Sequence, residues 1–156
     1  MKKLPKEKMR AILVDVDGTI CGGSARHKYA KKINGKMDWK KYFQKDLLEN
    51  EKVNEILRNK LLYYKRNNGY KIIFLTGRPE NLRNITLVWF EKNAVPVDKL
   101  IMRKNNDHSD VTGYKSGEIK KLKRYYNILV AYDDLDKGIE AAIINKIPYI
   151  KVQFEE

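Results

Sequence analysis

The chain has 156 residues, enough for one domain with a real core and too few for a second of ordinary size. Lys and Arg number 33 against 20 Asp and Glu, a net charge of +13 that points to a polyanionic partner, nucleic acid before membrane. A single cysteine, Cys21, excludes an internal disulfide and fits a reducing compartment, and no apolar run approaches a membrane span, so the expectation is a cytoplasmic protein with no membrane role.

Lys2, Lys3, Lys6 and Lys8 make a basic start with no apolar stretch behind it, unlike a signal peptide. Residues 11–14 then form an apolar run that reads as a buried strand and ends in Asp15-Val16-Asp17-Gly18-Thr19. Side chains alternate along a strand, so Asp15 and Asp17 are expected on one side of the backbone. Residues 21–50 break the pattern and read as a small flap inserted over the end of the first strand. Within it Trp39, Tyr42 and Phe43 lie among lysines. Aromatics among cations suit base stacking, but pinning the flap to the domain is the preferred reading.

Residues 52–67 place Val53, Ile56, Leu57, Leu61 and Tyr64 near one stripe, the spacing of an amphipathic helix, and Asn67-Asn68-Gly69 ends it. Residues 71–75 read as a second strand, followed by Thr76-Gly77-Arg78-Pro79. Pro79 suits the first turn of a helix carrying Leu82, Ile85, Val88, Trp89 and Phe90, with Trp89 and Phe90 expected in the core. Residues 99–103 make a third strand ending at Arg103. Residues 115–126 make a lysine-rich helix that Lys115 opens, with Ile119 and Leu122 inward. A fourth strand at 128–132 ends in Asp133-Asp134, a helix follows at 136–145, and 148–152 make a last strand. The rhythm is that of an α/β fold with a doubly wound, mostly parallel sheet, one domain over 1–156 with the flap at 21–50.

In an open α/β sheet, ligands bind beyond the carboxyl ends of the strands. That edge collects Asp15 and Asp17, Thr76, Lys115, and Asp133 with Asp134. The set suits phosphoryl transfer. A carboxylate can attack phosphorus, and a second acid can protonate the leaving oxygen and then activate water. A hydroxyl and a lysine can hold phosphoryl oxygens, and oxygen ligands suit Mg²⁺.

These residues, in this order, resemble the haloacid dehalogenase (HAD) phosphatase superfamily, over nearly the whole chain. The resemblance implies a HAD-like Rossmannoid fold and assigns Asp15 as nucleophile and Asp17 as general acid/base. It assigns Thr76, with Gly77 beside it, and Lys115 to the phosphoryl group. It places Mg²⁺ on Asp15, Asp17 through its main-chain carbonyl, and Asp133, assisted by Asp134. Arg26, Gly69-Tyr70, Thr76 to Glu80, Thr86, Trp89, Leu100 to Arg103, and Asp107 or Asp110 before Lys115 are similar to the 3′-phosphatase domain of polynucleotide kinase/phosphatase enzymes. That likeness adds Arg26, Arg78 and Arg103 to the substrate-binding set, Arg26 and Arg78 at the phosphate, and gives a role to one of Asp107 and Asp110. It implies a phosphomonoesterase that removes 3′-phosphate from DNA or RNA ends through an aspartyl-phosphate.

No Gly-x-x-x-x-Gly-Lys-Ser/Thr phosphate loop occurs among the 156 residues, so the expectation is a phosphatase that does not phosphorylate 5′ ends by that route. The alternatives are a small-molecule phosphatase such as a nucleotidase, and a non-catalytic nucleic-acid-binding domain. A receiver domain keeps its phospho-accepting Asp at a middle strand, and here the third strand ends at Arg103. Cys21, with no evident base beside it, reads as an inert small residue.

Overall fold

The computed structural model describes residues 6–154, which leaves Lys2 and Lys3 of the basic start outside the described residues. Five parallel strands lie in the order β3-β2-β1-β4-β5. They are β1 (Met9–Val14), β2 (Lys71–Pro79), β3 (Lys99–Arg103), β4 (Tyr126–Asp133) and β5 (Tyr149–Lys151). The expected doubly wound α/β fold is the observed one. The chain winds from β1 outward through β2 to β3, then returns to the other side of β1 for β4 and β5. The winding therefore reverses between β1 and β4, where a crevice opens at the strands' carboxyl ends.

β1 is apolar at successive positions because it is covered on both faces. Ala11 and Leu13 pack with Ile73, Leu75 and Ala131 under helices α6 (Val111–Leu122) and α7 (Asp136–Ile144). Ile12 and Val14 face the other way, with Ile72, Phe74 and Tyr132, against α4 (Glu55–Asn68) and α5 (Arg83–Lys92). Trp89 and Phe90 are core residues, as expected, and Trp89 Nε1 also donates to the Glu51 carbonyl at 3.0 Å.

Caps set several boundaries differently from the apolar spacing. Asn54 caps α4, accepting from the Leu57 N–H at 3.2 Å, so the helix begins at Glu55 rather than 52. Gly69 closes it in the left-handed region at φ 64°, which favours glycine. Ile56 is exposed, so the buried stripe rests on Leu57 and Leu61. Pro79 does not open a helix. It is extended, ends β2 opposite Arg103, and is followed by a single 3₁₀ turn, Glu80–Leu82, before α5. Asp110 caps α6, its carboxylate accepting from Thr112 and Gly113 N–H at 3.1 and 3.4 Å. The helix therefore starts at Val111, and Lys115 lies in its second turn rather than opening it.

Residues 21–50 carry three short helices: α1 (Ser24–Ala30), α2 (Trp39–Tyr42) and α3 (Lys45–Glu49). The ends of the segment are tied together where Gly22 N–H donates to Lys52 O at 2.9 Å and Asn54 N–H to Ile20 O at 2.8 Å. Leu48 is buried in the core on the α4/α5 side of the sheet, and Phe43 packs against that core.

Candidate active site

β1 stops at Val14, although the Asp15 N–H still reaches the Tyr132 carbonyl of β4 at 2.9 Å. Beyond that point strand alternation no longer applies. The chain turns at once, with Thr19, Ile20 and Cys21 N–H all donating to the Val16 carbonyl. Asp15 and Asp17 thus reach the same sheet end and take different partners there.

Asp15 joins Asp133 and Asp134. One carboxylate oxygen from each lies within 4.8 Å of the other two. Lys115 reaches across from α6 and bridges the group, its Nζ 3.0 Å from Asp15 Oδ1 and 2.5 Å from Asp133 Oδ2. Asp15, Asp133 and Lys115 are all buried. Burial raises the Asp15 carboxyl well above its ordinary pKa. Lys115 opposes that shift, and the neighbouring carboxylates add to it. The Asp134 carboxyl is raised too, first by burial and then by Asp133. Lys115 is held charged: burial opposes its proton, but Asp15 and Asp133 override it. Three acids around one ammonium leave an excess of negative charge that a cation can offset. An all-oxygen donor set at this spacing suits a hard divalent ion such as Mg²⁺.

Asp17 lies in a second cluster and its side chain is not in the carboxylate triad. Arg78, from the end of β2, approaches it with Nε and Nη2 at 3.0 and 2.7 Å. Arg26, from α1, pairs with the same carboxylate. Burial by itself would raise the Asp17 pKa. The Arg78 and Arg26 guanidiniums overcome it and hold the carboxyl below the ordinary range. Both arginines are almost wholly buried, at 1% and 2% exposure. Buried charges persist only when paired, and each has further partners. Arg78 Nη1 donates to Thr86 Oγ1 at 3.0 Å. Arg26 pairs with Glu51, donates to the Tyr42 carbonyl at 3.1 Å, and lies 4.4 Å from the Tyr42 ring centroid. Cys21 Sγ is 3.5 Å from Arg78 Nη2, and burial pushes its thiol pKa up, which agrees with an inert residue.

Thr76 is buried at the end of β2, where its hydroxyl accepts the Arg78 N–H at 3.1 Å, with Gly77 between them. Arg103 stands apart from both clusters. It pairs with Asp107 at 3.7 Å, donates to Ser109, and lies over the Tyr114 ring, whose hydroxyl donates to the Thr76 carbonyl at 3.1 Å. Asp107 accepts from Ser109 N–H at 2.8 Å, and Asp110 caps α6 and meets Lys137 at 3.3 Å, so each has a local partner.

Three participants, Glu51, Tyr42 and Gly138, had no motif to announce them. Glu51 is a lone acid between helices, and only folding brings it to Arg26. Tyr42 lends its ring to the same arginine. Gly138, in the first turn of α7, packs so closely that a Cβ there would overlap the Asp133 carboxylate. Gly18, at φ 78°, passes as closely under Asp134, whose carboxylate accepts from Thr19 Oγ1 at 3.2 Å. For Gly18 the signal was legible as an Asp-Gly turn, whereas Gly138 sits in an ordinary helix pattern.

A family model described as HAD superfamily, subfamily IIIB (Acid phosphatase) matches residues 1–151. No curated protein matches the sequence. Among solved structures, a chain of the Pnkp1/Rnl/Hen1 RNA repair complex aligns over 93% of this chain and 42% of its own length, at 22% identity and TM-score 0.73. The class C acid phosphatase from Bacillus anthracis with tungstate bound aligns over 94% of this chain and 67% of its own, at 17% identity and TM-score 0.67. A hydrolase from Streptococcus pneumoniae TIGR4 aligns over 92% of both chains at 12% identity and TM-score 0.59. At such identities the likeness establishes the fold. The chain spans less than half the length of the RNA repair chain it matches.

Proposed function

Because the chain belongs to the HAD superfamily, subfamily IIIB, and so to a family of phosphoric monoester hydrolases, we propose that it removes 3′-phosphate from nucleic-acid ends by way of an aspartyl-phosphate. The observation that carries this reading is the meeting of two clusters at one sheet end. One is an acidic group, Asp15, Asp133 and Asp134 with Lys115, and the other is a pair of buried arginines around Asp17. The net charge of +13 and the fold shared with a chain of an RNA repair complex favour a nucleic-acid substrate. The single buried cysteine favours the cytoplasm.

In this mechanism Asp15 attacks phosphorus in line and carries the phosphoryl group, and Asp17 protonates the departing sugar oxygen. Asp17 then takes a proton from the water that releases phosphate. Lys115, Thr76 and the Gly77 backbone hold phosphoryl oxygens, and Arg103 borders the leaving strand. Arg26 and Arg78, whose guanidiniums suit a phosphate bidentately, turn from Asp17 to the substrate. That exchange removes what keeps Asp17 ionised and lets it carry the proton that the acid step needs. Mg²⁺ held by Asp15, Asp133, Asp134 and the Asp17 carbonyl would offset the repulsion between an anionic nucleophile and an anionic phosphate. Residues 21–50 form a minimal cap, and so small a cover suits a substrate with a long polymeric tail.

Enzymes accelerate phosphate-monoester hydrolysis by up to ~10²¹-fold, of which an acid–base group supplies about 10²–10⁴. Positioned charge must therefore supply most of the rest. Asp15→Asn is expected to abolish turnover while retaining the far-UV and near-UV dichroism of the folded protein. Near wild-type turnover in that variant would refute the assignment of Asp15.

A second reading, hydrolysis of a small phosphate ester such as a nucleotide, draws on the match to the acid phosphatase family and the fold shared with a class C acid phosphatase. Side-by-side turnover of a 3′-phosphorylated oligonucleotide and of 3′- and 5′-mononucleotides, with and without Mg²⁺, separates the two. Oligonucleotide turnover that falls steeply with salt supports the polymer.

A further inference from the structure

The minimal cap ends in an aromatic surface that joins the buried arginines to solvent. Arg26 lies on the Tyr42 ring at 4.4 Å, and the Tyr42 and Trp39 rings meet edge to face with centroids 5.6 Å apart. Trp39 also stacks on Phe43 at 6.0 Å with 21° between the planes. The three rings differ in burial. Phe43 packs on the core and Leu48 is buried in it, so together they anchor the segment. Tyr42 supports Arg26. Trp39 does neither and is 60% exposed. Its stack on Phe43 nonetheless holds the indole plane in place, so a large flat apolar surface is presented to water in a fixed orientation.

The surroundings select what covers it. Residues 24–45 contain seven lysines, at 28, 31, 32, 36, 40, 41 and 45, all exposed, against one acid, Asp38. Asp38 is occupied in capping α2, accepting from Lys41 N–H at 3.2 Å. The Lys41 ammonium lies 5.6 Å from the ring of Tyr29, which is itself 54% exposed. An apolar protein partner would meet a segment dense in exposed positive charge here. A single-stranded nucleic acid offers both a ring to stack and phosphates for the lysines. The surface is also continuous with the arginines that would hold a terminal phosphate, two ring steps away.

We propose that Trp39 is a base-stacking subsite. It would hold a base within the last two nucleotides of a single strand, while Lys40, Lys41 and their neighbours hold its backbone. The proposal rests on the nucleic-acid reading above and adds to it a residue that would distinguish polymer from small ester. The anchoring role expected for all three aromatics then falls to Phe43, with Tyr42 serving Arg26.

The test compares wild type, Trp39→Ala and Trp39→Phe. The substrates are 3′-phosphorylated single-stranded DNA and RNA oligonucleotides, the same strands with the last two positions abasic, and glycerol 2-phosphate, which carries no ring. Stacking predicts that Trp39→Ala lowers the ratio of kcat/KM for oligonucleotide over glycerol 2-phosphate by about 5- to 150-fold, through KM. Trp39→Phe keeps most of that ratio, and abasic ends erase the difference between wild type and Trp39→Ala. An oligonucleotide also quenches Trp39 emission in wild type and leaves the buried Trp89 emission of Trp39→Phe unchanged. An unaltered ratio with no quenching overturns the stacking proposal alone, provided oligonucleotides are turned over. Turnover of glycerol 2-phosphate or mononucleotides with no binding or turnover of either oligonucleotide overturns the nucleic-acid reading, and the subsite with it.

Discussion

At the scale of single residues, the site depends on side chains whose freedom is already spent. The Asp133 carboxylate accepts from Lys115 Nζ at 2.5 Å and from Leu135 N–H at 3.0 Å. Gly138 lies against the same carboxylate without the Cβ that would displace it. Gly138→Ala is therefore expected to act at a distance of one packed contact. Ala is a better helix former than Gly by about 1 kcal/mol, so α7 by itself should gain. Asp133 must nevertheless shift and give up a hydrogen bond to a charged partner, worth about 1.5–3 kcal/mol. The expected outcome is loss of turnover by tenfold or more with a net loss of about 0.5–2 kcal/mol in urea stability. Unchanged turnover would mean that Asp133 has a second acceptable position. The motif residues Asp15, Asp17, Asp133 and Asp134 were legible because their types and order are distinctive. Glu51 and Gly138 were not, because one acid or one glycine in a helical pattern has many ordinary uses.

At the scale of elements, polar side chains decide where helices and strands begin. Asn54 caps α4 through Leu57 N–H and donates from Nδ2 to the Thr19 carbonyl at 3.0 Å. It thereby ties the helix to the loop that follows Asp17. Asn54→Ala removes the cap and leaves a buried carbonyl unpaired, with an expected cost of about 2–3 kcal/mol read from the urea midpoint. Asn54→Asp keeps the cap acceptor but sets a carboxylate oxygen against the buried Thr19 carbonyl, so it should not restore the stability. Asp98 plays a comparable part before β3, accepting from Ile72 N–H and Lys65 Nζ, both at 2.8 Å. Partial burial pushes its pKa up, but these two bonds and the Lys65 charge win, so its pKa in the folded protein lies below the ordinary value. A carboxyl depressed on folding stabilises above its unfolded pKa, and that stability is lost as pH falls through the folded one. The difference in stability between wild type and Asp98→Asn should therefore be constant above about pH 5 and shrink below about pH 4. A difference that grows on acidification would contradict the assignment. Lengths and breaks were the part of the fold that spacing misjudged. Apolar spacing reports which face is buried, whereas Asn54, Asp110 and the extended Pro79 report where the backbone changes state.

At the scale of the whole molecule, paired charges of both signs lie buried at one sheet end, while the net charge of +13 is carried by the exterior. Asp15, Asp133 and Asp134 converge at the winding reversal between β1 and β4, and Lys115 is the cation that bridges them. A divalent cation bound there stabilises the folded state by mass action, by about 2.7 kcal/mol at a hundredfold excess over its dissociation constant. For a chain of this size that raises the melting temperature by about 5–10 °C. Calorimetry with Mg²⁺ and with a chelator should show this rise in wild type and a much smaller one in Asp15→Asn. An equal rise in both would place the cation elsewhere. Among the described residues no helix is long and apolar enough to cross a membrane.

Local sequence was enough for the alternation of strands and helices, the parallel sheet, the acids at strand ends and the lysine on the helix after β3. Each of these is written in local pattern: apolar runs of strand length, helical spacing, and motif residues placed where strands stop. It took long-range folding to give Asp15 and Asp17 different partners, to bury Arg26 against Asp17 with Glu51 behind it, and to leave Trp39 facing water while Phe43 packs on the core. Those outcomes depend on contacts between segments far apart along the chain, in which the partner rather than the neighbour sets charge, burial and orientation.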